Sequence, residues 1–134
     1  MIQITLLGLG RIGASIGLAL RRNAKSNFVV VGHDREPDAA ARAEKAGAVS
    51  RIEWNLPRAC EAADVLILAV PLSELQAVLA QVAAHVKSGA VVLDTAPLKT
   101  PVLEWARVLP EHAHFLGATP ILNPSVLHSG ENDP

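Results

Sequence analysis

Three glycines, Gly8, Gly10 and Gly13, stand between an apolar run, IQITLL (2–7), and a helix-like stretch, RIGASIGLALRR (11–22). Nothing else in the chain restricts the fold as strongly. A Gly-x-Gly-x-x-Gly spacing after a strand lets the chain turn sharply into a helix that packs back on that strand. Gly8 permits the tight turn, Gly10 removes the Cβ that would keep a phosphate off the backbone, and Gly13 brings helix and strand close. Gly17 continues the small-residue face. The N–H groups of the first helical turn, around Arg11 and Ile12, then form an anion site with the helix dipole behind them.

The rest of the chain alternates short apolar runs with helical periods. Strands are expected at FVVVGH (28–33), DVLILAV (64–70), AVVLD (90–94) and HFLGA (114–118). The unbroken apolar run of 64–70 suits a central parallel strand covered on both faces. Helices are expected after Pro37, ending before Gly47, and from Ser73 to Val86, with Leu75, Val78, Leu79, Val82 and Val86 on one face. Ser73 and Gln76 have capping-box spacing, and Thr100-Pro101 reads as an N-cap followed by a first-turn proline. Arg21 and Arg22 suit the negative end of the first helix dipole. Such alternation predicts an α/β, Rossmann-type doubly wound fold with a mainly parallel sheet and helices on both faces. A dinucleotide-binding domain over 1–118 is expected, followed by a proline-rich tail over 119–134 without periodicity.

In this context the glycines point to a dinucleotide. The pattern asks for an acid at the end of the second strand, and Asp34 is there, placed to accept both ribose hydroxyls of an adenosine. That favours NAD, whereas the guanidinium of Arg35 beside it could pair with the 2′-phosphate of NADP. NAD is the first expectation and NADP the alternative. Val70, Pro71 and Leu72, after the central strand, would wall the nicotinamide end, with Thr95 after the next strand. The plainer reading leaves the glycines to packing and Asp34 to capping a helix.

With 134 residues, half of them hydrophobic, the chain can build one core but hardly two. A formal charge of −1 without a long basic block, and 3% aromatic residues, argue against nucleic acid. The apolar N-terminus lacks a preceding basic segment and is broken by Gln3, Thr5 and Arg11, so it does not read as a signal peptide. No run is long enough to span a bilayer. Cys60, the single cysteine, reads as a small buried hydrophobe, and the lack of cysteine pairs fits a reducing cytoplasm.

The segments ITLLGLGRIGASIGLALRR, VVGHDREP, ADVLILAVPLSEL, GAVVLDTAPLKTPVLEWA and HFLGATPILNP together resemble the nucleotide-binding domain of prephenate/arogenate dehydrogenases, within the broader 6-phosphogluconate-dehydrogenase-like reductases. The resemblance covers about residues 2–120. It implies oxidative decarboxylation toward tyrosine: hydride passes from the carbinol carbon of prephenate or arogenate to the nicotinamide, and loss of CO₂ aromatises the ring. It also implies a helical domain further on that supplies substrate contacts and a homodimer interface.

Two positions depart from that family. GATP puts Thr119 where the family's catalytic histidine stands, and DTAPLK puts Pro97 at its serine, while Asp94 and Lys99 match. A threonine hydroxyl can orient a substrate hydroxyl but cannot take its proton near neutral pH, and loss of a positioned base typically costs about 10²–10⁴ in rate. Lys99 serves equally well as a surface cation at a helix start. His112 and His114 flank the last strand, His128 lies in the tail, and His33 sits on the adenosine side. The alternatives are a non-catalytic dinucleotide-binding module or sensor, and a reductase of another small hydroxy acid or imine. No metal site is expected.

Overall fold

The computed structural model describes residues 1–23 and 27–120. Six strands, β1 (Ile2–Leu7), β2 (Phe28–His33), β3 (Arg51–Ile52), β4 (Val65–Leu68), β5 (Val91–Asp94) and β6 (His114–Gly117), form one sheet in the order β3-β2-β1-β4-β5-β6. Every neighbouring pair is parallel, and β1 is in register with β2 from Ile2↔Phe28 to Leu7↔His33. Five helices connect them: α1 (Arg11–Arg22), α2 (Pro37–Lys45), α3 (Leu56–Glu61), α4 (Leu72–Ala83) and α5 (Lys99–Trp105), the last followed by a 3-10 turn, Ala106–Val108. This is the expected doubly wound fold.

Strand alternation explains the two cores. Leu6 and Leu7 project from opposite faces of β1. Leu6, Val30 and Ile67 pack with Ala14 of α1 and Ala40 and Ala43 of α2 on one face. Leu7, Leu66, Leu68 and Val92 pack with Cys60 of α3, Leu75, Leu79 and Val82 of α4, and Val102 of α5 on the other. The alanine-rich first layer lets its helices lie close. A Cβ on Gly17 would stand 2.3 Å from the Ala48 carbonyl oxygen, so α1 sits against backbone there.

Several boundaries differ from the sequence reading. β3 and α3 were not foreseen: two residues and six residues are too short to show a period. α3 is set instead by local chemistry, since the Asn55 side chain accepts the Arg58 N–H at 2.9 Å and a proline lies in its first turn. α4 begins at Leu72, behind Pro71, with no side-chain cap. Ser73 is therefore helical rather than its cap, because the rigid Pro71 already starts the turn and its carbonyl accepts the Glu74 N–H. The helix stops at Ala83, so Val86 joins the core from the connection to β5. α5 likewise starts at Lys99, one residue before the expected cap at Thr100.

Cys60 is fully buried, as expected. Burial, with a smaller contribution from neighbouring Glu61, pushes its thiol up to about 11. The thiolate is the reactive form, so native protein at pH 8 is expected to resist iodoacetamide for hours and to react within minutes in guanidinium. Rapid native labelling, followed by mass spectrometry, would contradict this packing. Among the described residues, no helix is long and apolar enough to cross a membrane.

Candidate nucleotide-binding site

The sheet order places a crevice at one end of the central strands. From β1 the chain winds outward through β2 and β3, then returns to β4 on the other side of β1. The connections leaving β1 and β4 therefore diverge, and a gap opens at the carboxyl ends of the strands. A cavity of about 890 Å³ lies there, within the size range of small-molecule and cofactor sites.

Its floor is the turn from β1 to α1. Gly8 has φ +96°, a conformation that side chains rarely adopt. A Cβ on Gly8 would also come 2.4 Å from the Ala69 carbonyl oxygen. Gly13 is equally confined, because a Cβ there would stand 2.0 Å from the Gly8 carbonyl oxygen. Gly10 differs. Its φ of −71° suits any residue, and an added Cβ would meet nothing within 4 Å. Its missing side chain leaves room in the cavity instead of room for packing. α1 starts at that point without a side-chain cap. A pyrophosphate fits this combination: a helix start facing open space that a side chain would fill.

One side of the cavity is the end of β2. The Asp34 carboxylate is half-buried; one oxygen accepts the Leu9 N–H at 2.8 Å and the other accepts the Glu36 N–H at 2.8 Å. It thus ties the glycine turn to the start of α2. Two bonds leave lone pairs over, so the capping role leaves the carboxylate able to accept further hydrogen bonds from the cavity. Arg35 is exposed and pairs with Glu74 of α4 across the cleft. His33 also lines the cavity, its Nδ1 2.8 Å from the Glu53 carbonyl oxygen.

The opposite side is apolar. Val70, Pro71 and Leu72 line it, with Thr95, Ala96 and Pro97 from the end of β5. The Thr95 hydroxyl donates to the Leu68 carbonyl at 3.4 Å. Thus Gly8, Gly10, Arg11, Ile12, Asp34, Arg35, Val70, Pro71, Leu72 and Thr95 surround one cavity, and Gly13 supports it from below. Thr119 is outside that lining; it is exposed, and its hydroxyl donates to the Ala96 carbonyl at 3.1 Å. His128 falls outside the described residues, as does the tail from 121. His112, before β6, and His114, its first residue, are exposed and outside the lining, with His112 Nε2 3.1 Å from the Val86 carbonyl oxygen.

Lys99 is not a free surface cation. Its ammonium donates to the fully buried carboxylate of Asp94 at 2.7 Å and to the Ala118 carbonyl. Asp94 also accepts the Ala96 N–H at 3.0 Å and the Ala118 N–H at 3.3 Å. This cluster fixes the ends of β5 and β6 and the start of α5, beneath Thr95–Pro97.

The sequence reading missed one wall. Ser73, Ala77 and Gln81 of α4 line the cavity at helical spacing, with Glu74 and Val78 beside them. The available signal was the i, i+4, i+8 stripe adjoining the apolar face of that helix. Among the described residues, no group of three His, Cys, Asp or Glu side chains is placed to hold a metal ion.

Comparison with known proteins agrees with this geometry. Residues 16–131 match the family model described as prephenate dehydrogenase, nucleotide-binding domain. A prephenate dehydrogenase of Lactococcus lactis is 34% identical over 125 residues, covering 90% of this chain and 34% of that protein. The chain spans about a third of the length of the curated relatives it matches. The crystal structure of Synechocystis arogenate dehydrogenase superposes with TM-score 0.78 at 27% identity, over 89% of this chain and 41% of that one. Prephenate dehydrogenase from Aquifex aeolicus, solved with hydroxyphenyl propionate and NAD⁺, shares the fold with TM-score 0.79 at 21% identity, over 90% of this chain and 42% of that one.

Proposed function

This chain belongs to the prephenate dehydrogenase family, through its nucleotide-binding domain, and from that premise we propose that it holds the coenzyme of a prephenate- or arogenate-type oxidative decarboxylation. The observation that carries this is the open space in front of Gly10, at the uncapped start of α1. Residues 1–118 form the dinucleotide domain in this reading, and the chain from 119 leads toward a substrate-binding, dimerising region. When bound, the nicotinamide supplies the hydride acceptor.

The chain's own residues divide the remaining work. The first turn of α1 at Arg11 and Ile12 holds the diphosphate through backbone N–H groups. Asp34 accepts the ribose hydroxyls and keeps the glycine turn in place through Leu9. Val70, Pro71 and Leu72 exclude water from one side of the nicotinamide, and Thr95 borders its polar edge. A dry wall strengthens the electrostatic interactions on which hydride transfer depends.

The proton of the substrate hydroxyl is a separate matter. Among the described residues lining the cavity, the one imidazole is His33, on the adenosine side. No imidazole among the described residues lines the nicotinamide side, and Thr119 serves at most to position the substrate through its loop. The same observation favours a second reading, a dinucleotide-binding module without turnover.

Turnover with prephenate and with arogenate, measured on the full-length protein with NAD⁺ and with NADP⁺, separates the two readings. A rate within about tenfold of an intact enzyme supports catalysis, whereas loss of the base predicts a deficit of about 10²–10⁴. Calorimetric titration tests the shared premise. NAD⁺ should saturate below millimolar concentration, and Asp34→Ala should weaken NAD⁺ more than NADP⁺. Absence of saturation with either coenzyme would refute the binding role.

A further inference from the structure

The adenosine end of the cavity carries an ion pair whose consequence goes beyond holding a dinucleotide, although it rests on that reading. Arg35 follows Asp34 directly and is the cation that a phosphate on the ribose 2′ position would meet. Its guanidinium donates instead to the carboxylate of Glu74, in the first turn of α4 on the opposite lip. Its Nε also lies 3.9 Å from the Glu36 carboxylate. Asp34, Glu36 and Glu74 all line this cavity, against the two guanidinium groups of Arg35 and Arg11.

The two members of the bridge are unequal. The Arg35 side chain is 75% exposed and that of Glu74 only 29%. An exposed ion pair contributes little stability, but the better-anchored Glu74 carboxylate holds the mobile guanidinium at the lip of the cleft. A 2′-phosphate drawing Arg35 away would leave the Glu74 carboxylate without that partner, and would itself sit near Asp34. Like charges at short range in a partly desolvated cleft are costly. The vicinal hydroxyls of an unphosphorylated ribose bring no such charge.

We propose that Glu74 is a specificity-determining residue, which by pairing with Arg35 across the cleft denies a 2′-phosphate its cation and selects NAD over NADP. The ligand class it rejects is any adenosine dinucleotide with an extra phosphate on that ribose.

The test is calorimetric titration of NAD⁺ and NADP⁺ into the wild-type protein, Glu74→Gln, Glu74→Ala and the double variant Glu74→Gln/Arg35→Ala. Removing the carboxylate should shift the affinity ratio toward NADP⁺ by about tenfold, in line with freeing one guanidinium for a phosphate. The shift should disappear in the double variant. NAD⁺ binding by each single variant reports that the fold is intact. A ratio that moves by less than about twofold, or a shift that persists without Arg35, would overturn the role of Glu74 while leaving the dinucleotide site standing. Loss of NAD⁺ binding in both single variants would overturn it too, by making Glu74 a general binding residue. Failure of the wild-type protein to bind either coenzyme would refute the dinucleotide reading itself, and the selectivity with it.

Discussion

Gly10→Val is expected to fold normally and to lose at least about 100-fold in NAD⁺ affinity. The backbone at Gly10 is in a conformation open to any residue, and the added side chain meets no protein atom within the first shell around its Cβ. The loss of stability is confined to a poorer helix cap, about 1 kcal/mol, or a fall in melting temperature of about 4 °C for a domain of this size. The side chain would occupy the space where a diphosphate must approach the helix start. Losing two charge-assisted hydrogen bonds, each about 1.5–3 kcal/mol, amounts to two or more powers of ten in affinity. Gly13→Ala supplies the contrast, since its methyl would stand 2.0 Å from a backbone oxygen and must damage the fold before any ligand is involved. Titration and thermal melts on both variants read out the difference. Wild-type affinity in Gly10→Val would show that the glycine turn serves packing alone.

Lys99→Met should produce a large loss of stability. The Asp94 carboxylate is fully buried, and among the described residues Lys99 supplies its only cation. Removing one member of a buried pair typically costs about 3–5 kcal/mol. Lys99 keeps some exposure, so about 3 kcal/mol is the reasonable figure here. That is a large share of the roughly 5–15 kcal/mol by which domains are stable. Urea unfolding measures it directly. The paired variant Asp94→Leu/Lys99→Met should recover part of the loss, because no charge is then stranded. A single-variant loss below about 1 kcal/mol would mean that water reaches Asp94 and screens it.

The two glycine variants also indicate what the sequence could and could not disclose. The turn at Gly8–Gly13 was legible because sterics there allow few residue types, and neighbouring positions show it together. Asp34 was legible through its distance from that turn. The strands that became β1, β2, β4 and β5 were legible because continuous apolar runs suit a sheet buried on both faces. β3 and α3 were not, since Arg51–Ile52 gains its strand character only by pairing with Val31 and Gly32 of β2.

Side-chain partnerships between distant segments were hidden for a similar reason. Lys99 carried no mark distinguishing a surface cation from one that neutralises Asp94, because the distinction lies in the path of α5 back over β5. Glu74 looked like an ordinary first-turn acid, favourable at a helix start in its own right. Its pairing with Arg35 needs α4 and the end of β2 to face each other across the switch point. Thr119 stands at a family position only through the resemblance of its GATP turn, and its hydroxyl donates to the Ala96 carbonyl.

Ala69 links features that have so far been treated apart. Its carbonyl presses on Gly8, its methyl would lie 3.3 Å from a Cβ on Gly13, and its next residue begins the apolar wall. The glycine turn and the apolar wall of the cavity thus both rest on a single peptide. Their relative position follows the register of β1 against β4, which the Ala69 N–H extends by donating to the Leu7 carbonyl at 2.8 Å.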